Sequence, residues 1–171
     1  MTRRLYLPPW RVDLTVRPGV RRLVPDAVLG RVVARGLGAG GAPSPASIGL
    51  ILTDDKELAA LNARHMGKSG PTDVLSFPLL PPSSFRGGAR PEFALPPGTR
   101  LHLGDVVVSV ERAIEQAETG RGGQTGHVRW SPADELRLLV THGTLHICGA
   151  DHAEPDEEAA MRSVELRLLG Q

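Results

Sequence analysis

The stretch His142-Gly-Thr-Leu-His146-Ile-Cys-Gly149-Ala-Asp-His152 holds the residue types and the spacing in this chain best suited to chemistry. At about 100° per residue, two histidines four apart on a helix project about 40° apart, one turn above the other. Their imidazoles can then clamp a single metal ion. Gly149 has the backbone freedom to end that helix, and His152, three residues on, can swing back with a third nitrogen. Three neutral imidazoles around a tetrahedral Zn2+ leave one coordination position open, the feature that separates a catalytic site from a structural one. The spacing therefore predicts one Zn2+ held by His142, His146 and His152. Two blander arrangements stay open at this point. The histidines could be solvent-facing or internally satisfied residues of an amphipathic helix, or Cys148 could close a structural site. On a helix Cys148 lies about 200° from His146, which directs it towards a core instead.

The same spacing, H-x-x-x-H-x-x-G-x-x-H, is used by zinc endopeptidases of the metzincin kind, whose general base is a Glu directly after the first His. Here that position is Gly143. The expected chemistry is therefore hydrolysis in which metal-bound hydroxide or another residue does the proton work. Asp151, Asp73, His127 and His65 are candidate bases or supporting residues. Asp151 is preferred because it lies between Gly149 and His152.

The elements that must position these residues can be read from periodicity. Val12 to Val16 alternates like a half-buried strand, and Pro25 opens a helix with Val28, Leu29, Val32 and Val33 on one face. That helix is expected to stop within Gly36 to Gly41, a segment that formally matches G-x-G-x-x-G. A dinucleotide loop follows a strand and opens a helix, whereas this one closes a helix, so the match is read as accidental. Ala46 to Leu52 reads as a strand, Asp54 to Met66 as an acid-capped helix, Asp73 to Phe77 as a short strand and Leu103 to Val110 as a buried one. Ser109 is a plausible cap for a helix over Glu111 to Glu118. Ser131-Pro132 starts the histidine helix, and Pro155 to Leu169 forms the last, with acids in its first turn. Residues 80–100 hold eight Pro or Gly and read as an exposed, flexible loop, and Thr119 to Gly126 as a second flexible segment. Strands interspersed with helices predict a single α+β domain over residues 1–171: a mixed sheet packed on helices, with a zinc-hydrolase-like metal helix near its C-terminus.

With 171 residues, 40% hydrophobic and 23% charged, the chain can bury a core but not build two large lobes. The net charge of +1 gives no global field. Its distribution is uneven: eight arginines against Asp13 and Asp26 make residues 1–50 strongly basic, at +6. A single cysteine excludes an internal disulfide framework, and no stretch approaches the roughly 18 apolar residues of a membrane span. A cytoplasmic protein with no membrane partner is expected.

Several blocks in order carry a family resemblance. Leu61-Asn62, Gly67-Lys68 and Pro71-Thr-Asp-Val-Leu-Ser-Phe-Pro78 come first, then Leu103-Gly-Asp-Val-Val-Val-Ser109. Glu135-Leu136, the segment His142 to His152, and Met161 with Glu165 complete the series. Together they resemble the YbeY-type single-strand-specific endoribonucleases, also called rRNA maturation factors, over about residues 50–170. The resemblance implies a zinc on His142, His146 and His152, with Thr72, Asp73 and Ser76 lining the cleft. Many members have an arginine where this chain has Met66. Arg64, two residues earlier and about 200° round the helix, is then the nearest guanidinium for substrate. The usual aromatic before the Asp-His pair is Ala150 here. The implied activity is zinc-dependent endoribonuclease action in rRNA processing and ribosome maturation, at the 3′ end of small-subunit rRNA. The implied partners are a 16S-type rRNA precursor, the small ribosomal subunit and an assembly GTPase such as Era, with no DNA substrate. Two rivals are a zinc hydrolase acting on peptides or small molecules, and a non-catalytic ribosome assembly factor with a structural metal.

Overall fold

Alternation along the strands sends one set of side chains to each face of a sheet, and in this chain both faces find apolar cover. A computed structural model describes residues 1–85, 87, 95–119, 130–151 and 155–170. The strands are β1 (Thr2–Leu7), β2 (Trp10–Val16), β3 (Ala46–Thr53), β4 (Val74–Pro78) and β5 (Leu101–Ser109). The helices are α1 (Asp26–Ala39), α2 (Asp55–Met66), α3 (Val110–Thr119), α4 (Pro132–Ile147) and α5 (Pro155–Leu169). One sheet forms in the order β1-β2-β3-β5-β4. Its two outer pairs, β1/β2 and β4/β5, are antiparallel, while β2/β3 and β3/β5 are parallel. This is the mixed-sheet α+β architecture expected.

Val12, Leu14, Ile48, Leu50, Val106 and Val108 face α1, α3 and α4 and form the main core with Leu29, Val33, Leu136 and Leu139. On the other face Leu75 and Val107 receive Leu58 of α2. Beyond the reach of α2, that second face carries Arg11, Asp13, Ser47, His102 and Asp105. A register shift sets Ser47 opposite His102 but Gly49 opposite Asp105, so β5 has one residue more than β3 between those pairs. The bulge puts His102 and Asp105, three apart, on one face, where His102 Nε2 lies 3.3 Å from Asp105 Oδ1.

Two departures from the expected elements have physical reasons. The N-terminal Thr2–Leu7, not read as a strand, pairs with β2. Only Leu5 and Leu7 point inward, against Gly30, so apolar alternation is weak. Helix α1 ends at Ala39, inside the glycine run as expected, and those glycines let it lie close to α4. A Cβ on Gly36 would be 2.9 Å from Thr144 Cγ2, and one on Gly40 would be 2.4 Å from Cys148 Cβ. The segment after Phe77 is not all surface. It forms a 3-10 turn at Pro82–Ser84, and Phe85, 3% exposed, enters the main core. The rest of the Pro/Gly-rich stretch, residues 86 and 88–94, and most of the second flexible segment, residues 120–126, lie outside the described residues.

Candidate metal centre and its surroundings

Helix α4 is specified at both ends. Ser131 accepts from the Asp134 backbone N–H while Asp134 accepts from the Ser131 N–H, a capping box with Pro132 at the first helical position. At the other end Gly149, with φ 82°, donates to His146 O at 3.0 Å and Ala150 donates to Leu145 O at 3.0 Å. These two bonds make a Schellman turn. Between the ends, the helix divides its faces by size. Gly143 lies against the sheet, where a Cβ would meet Val106 Cγ1 at 2.5 Å and Val74 Cγ2 at 2.9 Å. Thr144 and Cys148 meet α1, and Cys148 is buried as expected. His142 and His146, about 200° away from that seam, turn to the side left open.

There the two imidazoles converge, with Nε2 of His146 3.1 Å from Nε2 of His142. Each ring is held from behind through its other nitrogen. His146 Nδ1 lies 2.8 Å from Ala150 O, a carbonyl that can only accept, so Nδ1 carries the proton. The carbonyl is delivered by the Schellman turn itself. His142 Nδ1 lies 2.6 Å from Glu165 Oε1 on α5, and that carboxylate is 7% exposed. With both Nδ1 atoms donating, the facing Nε2 atoms offer lone pairs to one point. Such a contact is attractive only if the pair shares a cation, either a proton or a metal ion. Two nitrogens on one tetrahedral zinc at about 2.0–2.1 Å would stand about 3.3 Å apart, close to the separation seen. The donor set and its supporting acceptors thus fit a zinc ion.

His152, the third predicted ligand, lies outside the described residues, as does His127. Among the described residues, no group of three His, Cys, Asp or Glu gathers as a metal site. Asp151 is described and exposed, just past the Schellman turn. Ser76 sits on the α4 face of β4 and donates to Gly143 O at 2.9 Å, tying that edge strand to the histidine helix. Asp73 organises the entry to β4. Its Oδ1 accepts from the Val74 N–H at 2.8 Å and the Thr72 hydroxyl at 3.3 Å, and its Oδ2 accepts from Gln116 at 3.1 Å. Arg64 is exposed on α2, the helix that covers the opposite sheet face, and Met66 beside it is 46% exposed. His65 meets Phe77 edge-on at 5.2 Å. The structure therefore brings His142 and His146 together, ties Ser76 to the same helix, and leaves Arg64 and His65 on the other side of the sheet.

Spacing alone does not point to Glu165 or to the Ala150 carbonyl. The first needs two helices packed together, and the second needs the turn geometry. One sequence signal was available: Glu165 follows the buried Met161 by four residues, which puts a carboxylate on the inward face of α5.

Comparison with known proteins gives a consistent answer. A family model described as Endoribonuclease YbeY matches residues 27–171. The chain is 43% identical over 144 residues to Endoribonuclease YbeY from Salinispora tropica, covering 84% of this chain and 85% of that one. It is 32% identical over 166 residues to the protein of the same name from Dehalococcoides mccartyi, covering 92% of each. Among solved structures it is similar to the solution structure of TM1509 from Thermotoga maritima. The TM-score is 0.51 and the identity 19%, with 92% of this chain and 89% of that one covered, which is a likeness of fold.

Proposed function

The chain belongs to the YbeY endoribonuclease family, and we propose that it is a zinc-dependent, single-strand-specific endoribonuclease that matures the 3′ end of small-subunit rRNA. The carrying observation is the convergence of two imidazole Nε2 atoms 3.1 Å apart, each ring fixed by an acceptor at its far nitrogen. His142, His146 and His152 would hold one Zn2+. When bound, the ion supplies Lewis-acid stabilisation of the charge that develops on the phosphate. Glu165 and the Ala150 carbonyl keep Nε2 as the presented nitrogen of each ring. Asp151, next to His152, is the proton-transfer candidate, and Thr72, Asp73 and Ser76 are the substrate-binding ones, whereas Arg64 stands on the opposite face of the sheet from the two histidines. No helix among the described residues is long and apolar enough to cross a membrane, and the proposed place of action is the cytoplasm. The proposed partners are a 16S-type rRNA precursor, the small ribosomal subunit and an assembly GTPase such as Era.

Packing at Gly143 argues against a peptidase of the metzincin kind, since a glutamate there would point into the sheet. The test is metal analysis of the parent and of His142→Ala, His146→Ala and His152→Ala beside cleavage of single-stranded RNA. Stoichiometric zinc in the parent is expected, with loss of both metal and cleavage in folded variants. Zinc with peptide but no RNA cleavage would favour the hydrolase rival. Unfolding of the variants with an inactive parent would favour the assembly factor.

A further inference from the structure

We propose that Glu165 is the positioning residue for His142 and that, through it, metal binding and the docking of α5 are coupled. The inference rests on the metal reading above. His146 draws its acceptor, Ala150 O, from the turn that ends its own helix. His142 depends on a different helix, 23 residues away in the chain, whose Glu165 oxygen lies 2.6 Å from Nδ1. One ligand is therefore preorganised locally, and the other only when α5 is seated.

Among the described residues, helix α5 buries few side chains. Of its described residues only Met161 and Glu165 are buried, and Val164, Leu168 and Leu169 are partly covered. Its first turn carries Asp156, Glu157 and Glu158 in exposed positions. A carboxylate at 7% exposure is costly to bury unless a strong donor meets it, and the His142 Nδ1–H is the donor in place. That donor exists only while Nδ1 keeps its proton. A cation on Nε2 locks this tautomer and polarises the N–H, strengthening the bond to Glu165. Linkage then works in both directions: the factor by which a seated Glu165 raises metal affinity is the factor by which metal favours the seated helix.

The experiment uses the full chain, with zinc affinity read by competition against a chromophoric chelator. Amide hydrogen exchange over α4 and α5 is followed with and without zinc. The parent is compared with Glu165→Gln, which keeps an acceptor oxygen without the charge, and with Glu165→Ala. The parent should bind zinc and show slower exchange across Met161–Leu169 when zinc is added. Glu165→Ala should bind about 10- to 100-fold more weakly, and Glu165→Gln should lie between. Zinc-induced protection of α5 should vanish in Glu165→Ala while protection of α4 persists. Nitrogen-15 shifts of the His142 ring in the zinc-free proteins add a readout that helix docking alone would not move. The Nδ1–H tautomer should dominate in the parent and mix with the other in Glu165→Ala. Unchanged affinity with unchanged protection of α5 in Glu165→Ala, in a parent that binds zinc, would overturn the coupling alone. A parent that takes up no zinc would overturn the metal reading and the coupling together.

Discussion

Gly143 lies so close to Val106 that a β-carbon on it would stand 2.5 Å from Val106 Cγ1, with Val74 Cγ2 and Ser76 Oγ at 2.9 and 3.2 Å. The residue after the first histidine is therefore a point of close approach between the histidine helix and the sheet. The same close approach lets the Gly143 carbonyl accept from Ser76, so the edge strand β4 is fixed to α4 beside the histidines. A peptidase would need a carboxylate where this fold needs contact.

Gly143→Ala tests that contact. Alanine gains about 1 kcal/mol of helix propensity. Overpacking typically costs about 1–3 kcal/mol, and here three neighbours from two strands would have to move. A net loss of about 1–2 kcal/mol in urea unfolding is expected. Gly143→Glu should lower the soluble yield and confer no peptidase activity. A stable Gly143→Glu protein that cleaves peptides would refute this account of the position.

The α1–α4 seam is a second place where glycine is structural. Gly36 faces Thr144 Cγ2, a methyl that serine lacks. Gly36→Ala should destabilise, and Thr144→Ser in the same chain should recover part of the loss. The expected favourable coupling is about 0.5–3 kcal/mol, read from a double-mutant cycle in denaturant. Strict additivity would mean that α1 can shift away without cost.

On the sheet face beyond the reach of α2, the Asp105 carboxylate raises the His102 pKa by hydrogen bonding. It acts against desolvation, with Asp13 adding to the rise and Arg11 opposing it. Ser47 supports the charged form: its hydroxyl is placed to donate to Leu101 O and so to accept from His102 Nδ1. A histidine with a raised folded pKa stabilises the fold fully below its ordinary value of 6.5. That contribution is lost as pH rises through the folded value. The midpoint temperature of the parent minus that of Asp105→Asn should therefore be larger at pH 5.5–6 than at pH 8–8.5. A pH-independent difference would show that His102 is not cationic in the fold.

Which features could be read from sequence follows from how local their causes are. The facing of His142 and His146 needs only helical periodicity, and the start of α4 needs only Ser131 and Pro132. Both were legible before any tertiary contact was known. Cys148 could be assigned to the core by the same angular argument. The end of α1 within its glycine run was legible too, but the seam with Thr144 and Cys148 that those glycines make possible was not. β1 was hidden because Tyr6, 64% exposed, interrupts the polar side of its alternation. The His102–Asp105 pair depends on a bulge, and the Glu165–His142 pair on docking of two helices. The bulge leaves no periodic trace, and the spacing of Met161 and Glu165 marks a face of α5 without naming the histidine it meets.

The two ends of α4 separate helix stability from the aim of the histidines proposed to hold zinc. Ser131→Ala removes the cap at the end far from the histidines and should cost about 1 kcal/mol. The Schellman turn, and with it the carbonyl behind His146, would stay in place, so zinc retention should not change. Gly149→Ala acts at the other end. It forces a left-handed φ of 82° on a residue with a side chain and brings its Cβ to 2.8 Å from Pro82 Cβ. The backbone conformation alone costs roughly 1–2 kcal/mol. Relief of that strain moves Ala150, whose carbonyl fixes the His146 ring. Gly149→Ala should therefore lose zinc to a chelator faster than Ser131→Ala of matched thermal stability. Equal zinc loss from the two would mean that the turn ends the helix without aiming the ligand.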